Sequence, residues 1–388
     1  MYAVIMAGGE GRRLRPISSD RPKPLVNVAG RPAMSRIIEL LSKHGIKNAA
    51  VTTHYRAKDI ENYYNNSYEG VNLKYFRENT PLGTAGSVRN TLPFLMQDSA
   101  DDSFIVISGD AVCELDISRA ISYHRRKEAD VTIVLSRTRD TGEYGVVECD
   151  DNGMIKRFIE KPSPAQSFSD TVNTGIYIIK RSVMEELEEG RNYDFGRDVF
   201  PDLLSRKKRL YGICDDAYWC DIGSAGAYYD CNIRLALGAS STDSHGNVVN
   251  GVCVISSSAD ILECVIGDGV VIEGECSAYR AIICDGVRLC KGSSVGEGCV
   301  IGHDCKIESK AHIESGAKIM ENIEIGKGAI VMGGTIFGDV SAKLFKNGGI
   351  SVKEELLSGE YALRLGCAVA SASKHISMLP EPQLYSSR

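Results

Sequence analysis

The chain opens on a short unbroken apolar run, Tyr2-Ala3-Val4-Ile5-Met6-Ala7, as expected of a strand buried on both faces. From there to about residue 237, apolar runs alternate with stretches of helical spacing. RPAMSRIIELLSKHG sets Ile37, Ile38, Leu40 and Leu41 on one helical face and places Gly45 where a C-terminal cap belongs. NAAVTT, NLKYFRE and FIVISGD read as strands, with AKDIENYYNN and TAGSVRNTLPFL as helices between them. This alternation predicts an α/β unit over 1–237, a Rossmann-like, doubly wound mixed sheet, mostly parallel, with helices on both faces. Ligands of such sheets bind beyond the carboxyl ends of the strands.

Near residue 251 the period changes. Every sixth residue from Val265 is Val265, Val271, Ser277, Ile283, Leu289, Val295, Ile301, Ile307, Ile313, Ile319, Ile325, Val331 and Phe337, all apolar except Ser277. Four places after each, from Leu289 on, stand Ser293, Cys299, Cys305, Ala311, Ala317, Ile323 and Ala329, nearly all small. A hexad sustained this long predicts a left-handed parallel β-helix over 251–340, the large residue pointing into the coil and the small one filling the corner. Residues 341–388 leave that register. They read as a helical or irregular segment, KEELLSGEYALRLGCAVAS, with a polar tail, and are expected to begin a further, truncated domain or to be a natural end.

Composition changes this picture little. With 43% hydrophobic and 25% charged residues over 388, the chain suits a soluble protein of two or three domains. A net charge of −6 argues against a general nucleic-acid or membrane surface. No apolar run approaches the roughly 18 residues of a membrane span, and the first residues lack the charged start and cleavage site of a leader. The 13 cysteines are scattered without zinc spacing, so a reducing cytoplasm is the expected location.

In so acidic a protein the stretch Gly8-Gly9-Glu10-Gly11-Arg12-Arg13-Leu14-Arg15-Pro16 stands out. Glycines let backbone approach a ligand and arginines suit an anion, so a phosphate chain is the candidate; a plain turn with solvated arginines is the blander reading. The stretch lacks the Gly-Lys-Ser/Thr ending of a Walker loop and the third glycine of a dinucleotide fingerprint. Three further motifs favour phosphate chemistry. Lys23 lies between Pro22 and Pro24, on stiff extended backbone that aims a flexible cation. Ser108-Gly109-Asp110 closes FIVISGD with a carboxylate placed for Mg²⁺, and Trp219-Cys220-Asp221-Ile222-Gly223 offers a second carboxylate far away in sequence.

AGGEGRRLRPISSDRPKPLVNVAGRP closely resembles the signature of the sugar-phosphate nucleotidyltransferases. The family's glycine-rich loop, PKP lysine, GD aspartate, EKP, NTG and W-x-D-I-G motifs all occur here in order, as Gly109-Asp110, Glu160-Lys161-Pro162, Asn173-Thr174-Gly175 and Trp219–Gly223. The resemblance covers about residues 1–235, and a β-helix is the family's common second domain. Pro81-Leu82-Gly83-Thr84-Ala85-Gly86, IVISGDAVCELDISRAI and NYDFGRDVFPDLL look most like the mannose-1-phosphate guanylyltransferases of the family, particularly bacterial ones fused to a phosphomannomutase-like domain.

The resemblance implies transfer of a nucleotidyl group from an NTP, GTP by preference, to a sugar 1-phosphate such as mannose 1-phosphate, with release of pyrophosphate. It also implies the roles. Gly8, Gly9, Gly11 and Arg13 hold the triphosphate, Lys23 meets charge at the α-phosphate, and Asp110 and Asp221 hold Mg²⁺. Gly83, Thr84, Ala85 and Gly86 receive the base; Lys161 grips the sugar phosphate; Glu160, Asn173 and the backbone of Gly145 take sugar hydroxyls. Arg12 stands where the family usually has Thr or Ser, so it either strengthens triphosphate binding or points outward. Self-association through the β-helix is implied as well. Glucose or heptose 1-phosphate as substrate, and a non-catalytic subunit that senses NDP-sugar, are the alternatives.

Other features have bland readings. His303, in IGHDCK, could be the general base of a hexapeptide acyltransferase, but an outward or corner histidine of a structural coil is expected; His312 and His245 are treated alike. Cys113, Cys149 and Cys220 read as spectators, Arg206-Lys207-Lys208-Arg209 as a solvated helix end, and Tyr63, Tyr64, Tyr68, Tyr75 and Phe76 as packing.

Overall fold

The computed structural model describes residues 1–338 except 99, 139 and 239–241. The expected segment 341–388 and the last residues of the repeat therefore lie outside the described residues. The chain divides into two compact units, one of Met1–Leu14 with Arg21–Cys231, the other of Arg15–Asp20 with the chain from Asn232 onward.

The first unit is built on a ten-stranded sheet. Ala3–Met6 pairs in parallel with Asn48–Thr53 on one side and Ser103–Ser108 on the other, Ile5 facing Val51 and Ile107. Val71–Arg77 continues the parallel side, but Thr171–Lys180 runs antiparallel to Ser103–Ser108 and is followed by Gly145–Cys149 and Ile155–Glu160. The sheet is thus mixed, as expected, its antiparallel strands lying on the Thr171–Lys180 side. Alternate residues of one strand feed different cores, as the pleat requires. Ile5 packs with Ile37, Ile38 and Leu41 of the helix Ala33–Lys43, while neighbouring Val4 packs with Phe104, Val131 and Phe200. All of these are essentially inaccessible, and each contributes about 1.5–3 kcal/mol relative to exposure.

The helix Ile117–Lys127 buries one polar group, His124. Its Nδ1 lies 2.9 Å from Thr132 Oγ1 and its Nε2 3.2 Å from Ser103 Oγ. Burial, and then the charge of Lys180, depress its pKa to about 4.

In the second unit three stacks of short parallel strands, of six, five and five, form the β-helix. The phase of the repeat differs from the even hexad in its first coils. Ile261, Ile266, Ile272 and Ala278 point into the core, not Val265, Val271 and Ser277. Early coils advance by seventeen residues (Val265 faces Ile282), later ones by eighteen (Ile282 faces Val300). The corner between Ala278 and Ile283 holds one residue fewer, and the inward set shifts by one across it. From Ile283 to Val331 the large residues do fill the coil, and Ser293, Cys299, Cys305, Ala311 and Ala317 are buried at the corners. Cys299 and Cys305 donate their S–H to the carbonyls of Glu314 and Met320.

His303 is buried rather than outward, its Nε2 3.0 Å from the Ile17 carbonyl and 3.2 Å from Asp20 Oδ1, both within the same unit. His312 and His245 are exposed. The described cysteines are free thiols. Burial pushes Cys113 up to about 12 and Cys149 up to about 11, which leaves them poor nucleophiles.

Candidate active site

The site is assembled at the carboxyl ends of the central strands of the first unit. Met6 ends its strand just before Gly8, and Ser108 ends the neighbouring strand just before Gly109-Asp110. Gly109 is needed for closeness, since a Cβ there would lie 3.0 Å from the Met6 carbonyl oxygen and 3.1 Å from Ile5. A two-stranded antiparallel ribbon then delivers the distant carboxylate. Ala111–Cys113 pairs with Trp219–Asp221, and Asp221 faces Ala111 across it. Asp110 and Asp221 thereby meet, although they lie 111 positions apart in the chain.

Lys23 joins them. Pro22 is extended and Lys23 begins a tight helical turn with Pro24 behind it, which carries the ammonium inward to 7% exposure. Its Nζ lies 2.8 Å from Asp110 Oδ2 and 2.7 Å from Asp221 Oδ1. Burial would lower the Lys23 pKa, but the two carboxylates outweigh it and hold it above its ordinary value. Burial raises both carboxyls as well. In Asp110 the pull of Lys23, helped by a hydrogen bond from Ser108, wins and the pKa falls below the ordinary range. In Asp221 burial and the neighbouring Asp110 charge win, and the pKa rises. The pair therefore carries a like-charge penalty that one lysine does not remove, a donor set suited to a divalent cation. Two carboxylates are an incomplete shell, as is usual for Mg²⁺ completed by water and phosphate oxygens. One grouping of three metal-competent side chains occurs among the described residues, Asp20, Asp285 and His303, in the other unit.

Arg12 and Arg13 of the glycine-rich loop are exposed. Arg13 is paired with the Glu143 carboxylate, and its Nη2 lies 3.5 Å from the position of a Cβ on Gly223. Arg12 is paired with Glu10 at 2.6 Å and points outward. Of the loop's glycines, Gly11 has the backbone that favours glycine, φ +69°. Gly8 and Gly9 have room for a Cβ.

The 81–86 loop is bound closely to the protein around it. Ala85 and Gly86 are buried, and their N–H groups donate to the Tyr193 carbonyl at 2.8 and 3.1 Å. A Cβ on Gly83 would lie 2.4 Å from the Tyr193 carbonyl oxygen, and one on Gly86 2.5 Å from that of Arg191. These glycines thus serve a backbone-to-backbone approach within the unit.

Glu160 is half-buried between two glycines. A Cβ on Gly145 would lie 2.8 Å from its Oε2, and one on Gly196 2.4 Å. Burial, then the charge of Asp194, raises its pKa. Lys161 is exposed at a left-handed φ of +48°, and among the described residues its ammonium has no ion-pair partner. Asn173 is occupied, its Nδ2 donating to the Tyr177 hydroxyl at 3.0 Å and its Oδ1 accepting from Gly175 N–H at 2.9 Å. It shapes the strand irregularity at this point more than it offers free polar atoms. Trp219 locks the motifs together by donating its indole N–H to the Thr174 carbonyl at 3.0 Å. Cys220, beside Asp221, is raised by the hydrogen bond with the Cys231 thiol and by burial.

Sequence reasoning gave no role to the side chains of Glu143, Ser108 or Asp194. Glu143 and Asp194 act by touching Arg13 and Thr84 across the fold, and Ser108 by touching Asp110 two residues on.

The family model for nucleotidyl transferases matches residues 2–236. The chain is 36% identical to the UTP–glucose-1-phosphate uridylyltransferase of Synechocystis over 59% of its length and 62% of the relative's. It is 31% identical to the mannose-1-phosphate guanylyltransferase of Mycobacterium tuberculosis over 74% of its length and 80% of the relative's. The crystal structure of HddC from Yersinia pseudotuberculosis superposes with a TM-score of 0.52 at 28% identity, covering 60% of this chain and 99% of that one. The chain thus spans less than two thirds of some curated relatives it matches and four fifths of others.

Proposed function

Because the chain belongs to the nucleotidyl transferase family, we propose that it transfers a guanylyl group from GTP to mannose 1-phosphate, giving GDP-mannose and pyrophosphate. The observation that carries the reading is the buried trio of Lys23, Asp110 and Asp221, with Arg13 beside it. The guanylyltransferase relatives and the nucleotide-analogue complex of HddC support the nucleotide and the sugar.

A phosphate oxygen of the sugar 1-phosphate attacks the α-phosphorus, the new P–O bond forms, and the bond to the β-phosphate breaks with its electron pair leaving on pyrophosphate. The nucleophile needs no activating Ser, Cys or His, because a phosphate monoester is largely dianionic at pH 7. The chain's work is to bring two anions together in line and to neutralise them. Arg13 exchanges Glu143 for the β- and γ-phosphates and stays with the leaving pyrophosphate. Lys23, already inside, meets the charge that grows around the α-phosphate. Lys161 takes the sugar phosphate, and Glu160, wedged between Gly145 and Gly196, accepts from sugar hydroxyls. Asp110 and Asp221 would hold Mg²⁺, which when bound supplies charge neutralisation between the two phosphates.

The test is pyrophosphate release with Mg²⁺, crossing five NTPs with mannose, glucose and heptose 1-phosphates. GTP with mannose 1-phosphate far above every other pair is expected. Another winning pair would keep the chemistry and correct the specificity. Silence from a folded protein that still binds GTP would make the chain a nucleotide-sugar sensor.

A further inference from the structure

The 81–86 loop and the Glu160 pocket are held by the same short stretch of backbone, residues 192–196. On the loop side, Asn192 Nδ2 donates to the Pro81 carbonyl at 2.9 Å and Tyr193 N–H to the Leu82 carbonyl at 2.9 Å. Thr84 closes the set twice over. Its hydroxyl donates to Asp194 Oδ2 at 2.9 Å and accepts from Phe195 N–H at 2.9 Å. Asp194 uses its other oxygen on the opposite side, where Oδ1 accepts from Gly196 and Arg197 N–H at 2.9 and 3.0 Å and caps the helical turn Phe195–Val199. Gly196, so positioned, is the residue whose missing Cβ leaves room for the Glu160 carboxylate, 2.4 Å from that point. The Asp194 charge is also felt at Glu160, whose carboxyl it raises after burial.

We infer that Asp194 is a positioning residue that couples the two substrate subsites, one carboxylate oxygen setting the nucleotide loop through Thr84 and the other setting Gly196 against Glu160. The inference rests on the proposed function of the two subsites. A shift of Glu160 on sugar binding presses on Gly196, moves the capped turn, and reaches the nucleotide loop through a chain of two hydrogen bonds. Each substrate then improves the site of the other, and the coupling is reciprocal because it is a free energy shared by both. A brace that was merely structural would lower stability without linking the substrates.

The experiment compares the full chain with Thr84→Val, Thr84→Ser and Asp194→Asn. Thr84→Val keeps the shape and removes the hydroxyl; Thr84→Ser keeps both hydrogen bonds; Asp194→Asn keeps the cap but puts an amide nitrogen, which cannot accept, opposite the hydrogen bond that the Thr84 hydroxyl donates. The apparent KM for GTP is measured at low and at saturating mannose 1-phosphate. In the wild type it is expected to fall at least about threefold between the two. In Thr84→Val and Asp194→Asn that dependence is expected to vanish, with the GTP KM raised about tenfold and kcat changed less than KM. Thr84→Ser is expected to recover most of the loss.

Absence of the dependence in the wild type overturns the inference, as does its survival in variants with unaltered melting temperature. If Thr84→Val does not fold, Asp194→Asn and Thr84→Ser decide alone. If the wild type is silent with every substrate pair, the proposed function has failed. Calorimetric binding of GTP with and without mannose 1-phosphate then still decides the coupling, because a brace needs no turnover.

Discussion

At the residue scale the chemistry turns on one lysine placed between two acids. Removing either acid takes away a preorganised charge that acts where the phosphates meet, so Asp110→Ala and Asp221→Ala should each lose about 10²–10³ in kcat with the fold kept, as circular dichroism and pyrophosphate release together would show. Near-normal turnover in either would remove the metal assignment. Lys23→Met is expected to do more, because it leaves two buried carboxylates facing each other; a loss of about 3 kcal/mol in urea unfolding accompanies the loss of activity. His124 gives a separate pH prediction. Its folded pKa of about 4 lies below the ordinary 6.5, so the unfolded chain binds the extra proton between those values. Stability is therefore complete above pH 6.5 and falls as the pH drops towards 4, by about 2 kcal/mol at pH 5. Urea midpoints at pH 7 and 5 should differ more in the wild type than in His124→Gln; equal differences would refute the assignment.

At the scale of elements, two devices matter. The Ala111–Cys113 and Trp219–Asp221 ribbon makes one site from two distant motifs, and the short corner after Ala278 sets the phase of the first coils. The corner has a clean test. Ser277 is exposed and Ala278 is 2% exposed. Ser277→Asp should therefore change stability by less than about 0.5 kcal/mol, whereas Ala278→Asp buries an unpaired charge and should cost several kcal/mol or abolish folding of the coil. The reverse order would restore the even hexad. The sequence held a sign of this slip, since Ser277 was the one polar member of the inward series while Ile266, Ile272 and Ala278 stood one place along. Periodicity alone counts residues and does not see a corner that is one residue short.

At the scale of the whole molecule, an acidic chain with local cations suits two small anionic substrates and resists nonspecific polyanions. No described helix is long and apolar enough to cross a membrane. Ile330, Met332 and Ile336, at the last described coils of the β-helix, are 57%, 43% and 57% exposed among the described residues. Apolar surface of this kind on a repeat favours self-association. Light scattering is expected to give a mass at least twice the 42.2 kDa of one chain, and a monomer would refute self-association through this domain.

The sequence by itself determined the two architectures, because each is written in a local period: alternating strand and helix patterns to about residue 237, and six-residue steps after it. It also determined which side chains carry charge to the site, since Arg13, Lys23, Asp110, Glu160, Lys161 and Asp221 lie in short motifs whose neighbours restrict the backbone. Tertiary structure alone decided how those groups are used. It paired Arg13 with Glu143 and tied up Asn173. It also turned Thr84, Ala85 and Gly86 towards residues 193–195 and placed Asp194 between Thr84 and Gly196. These are contacts between residues tens to hundreds of positions apart. A local pattern fixes which way a side chain leaves its own element, while the partner it meets depends on how the elements pack.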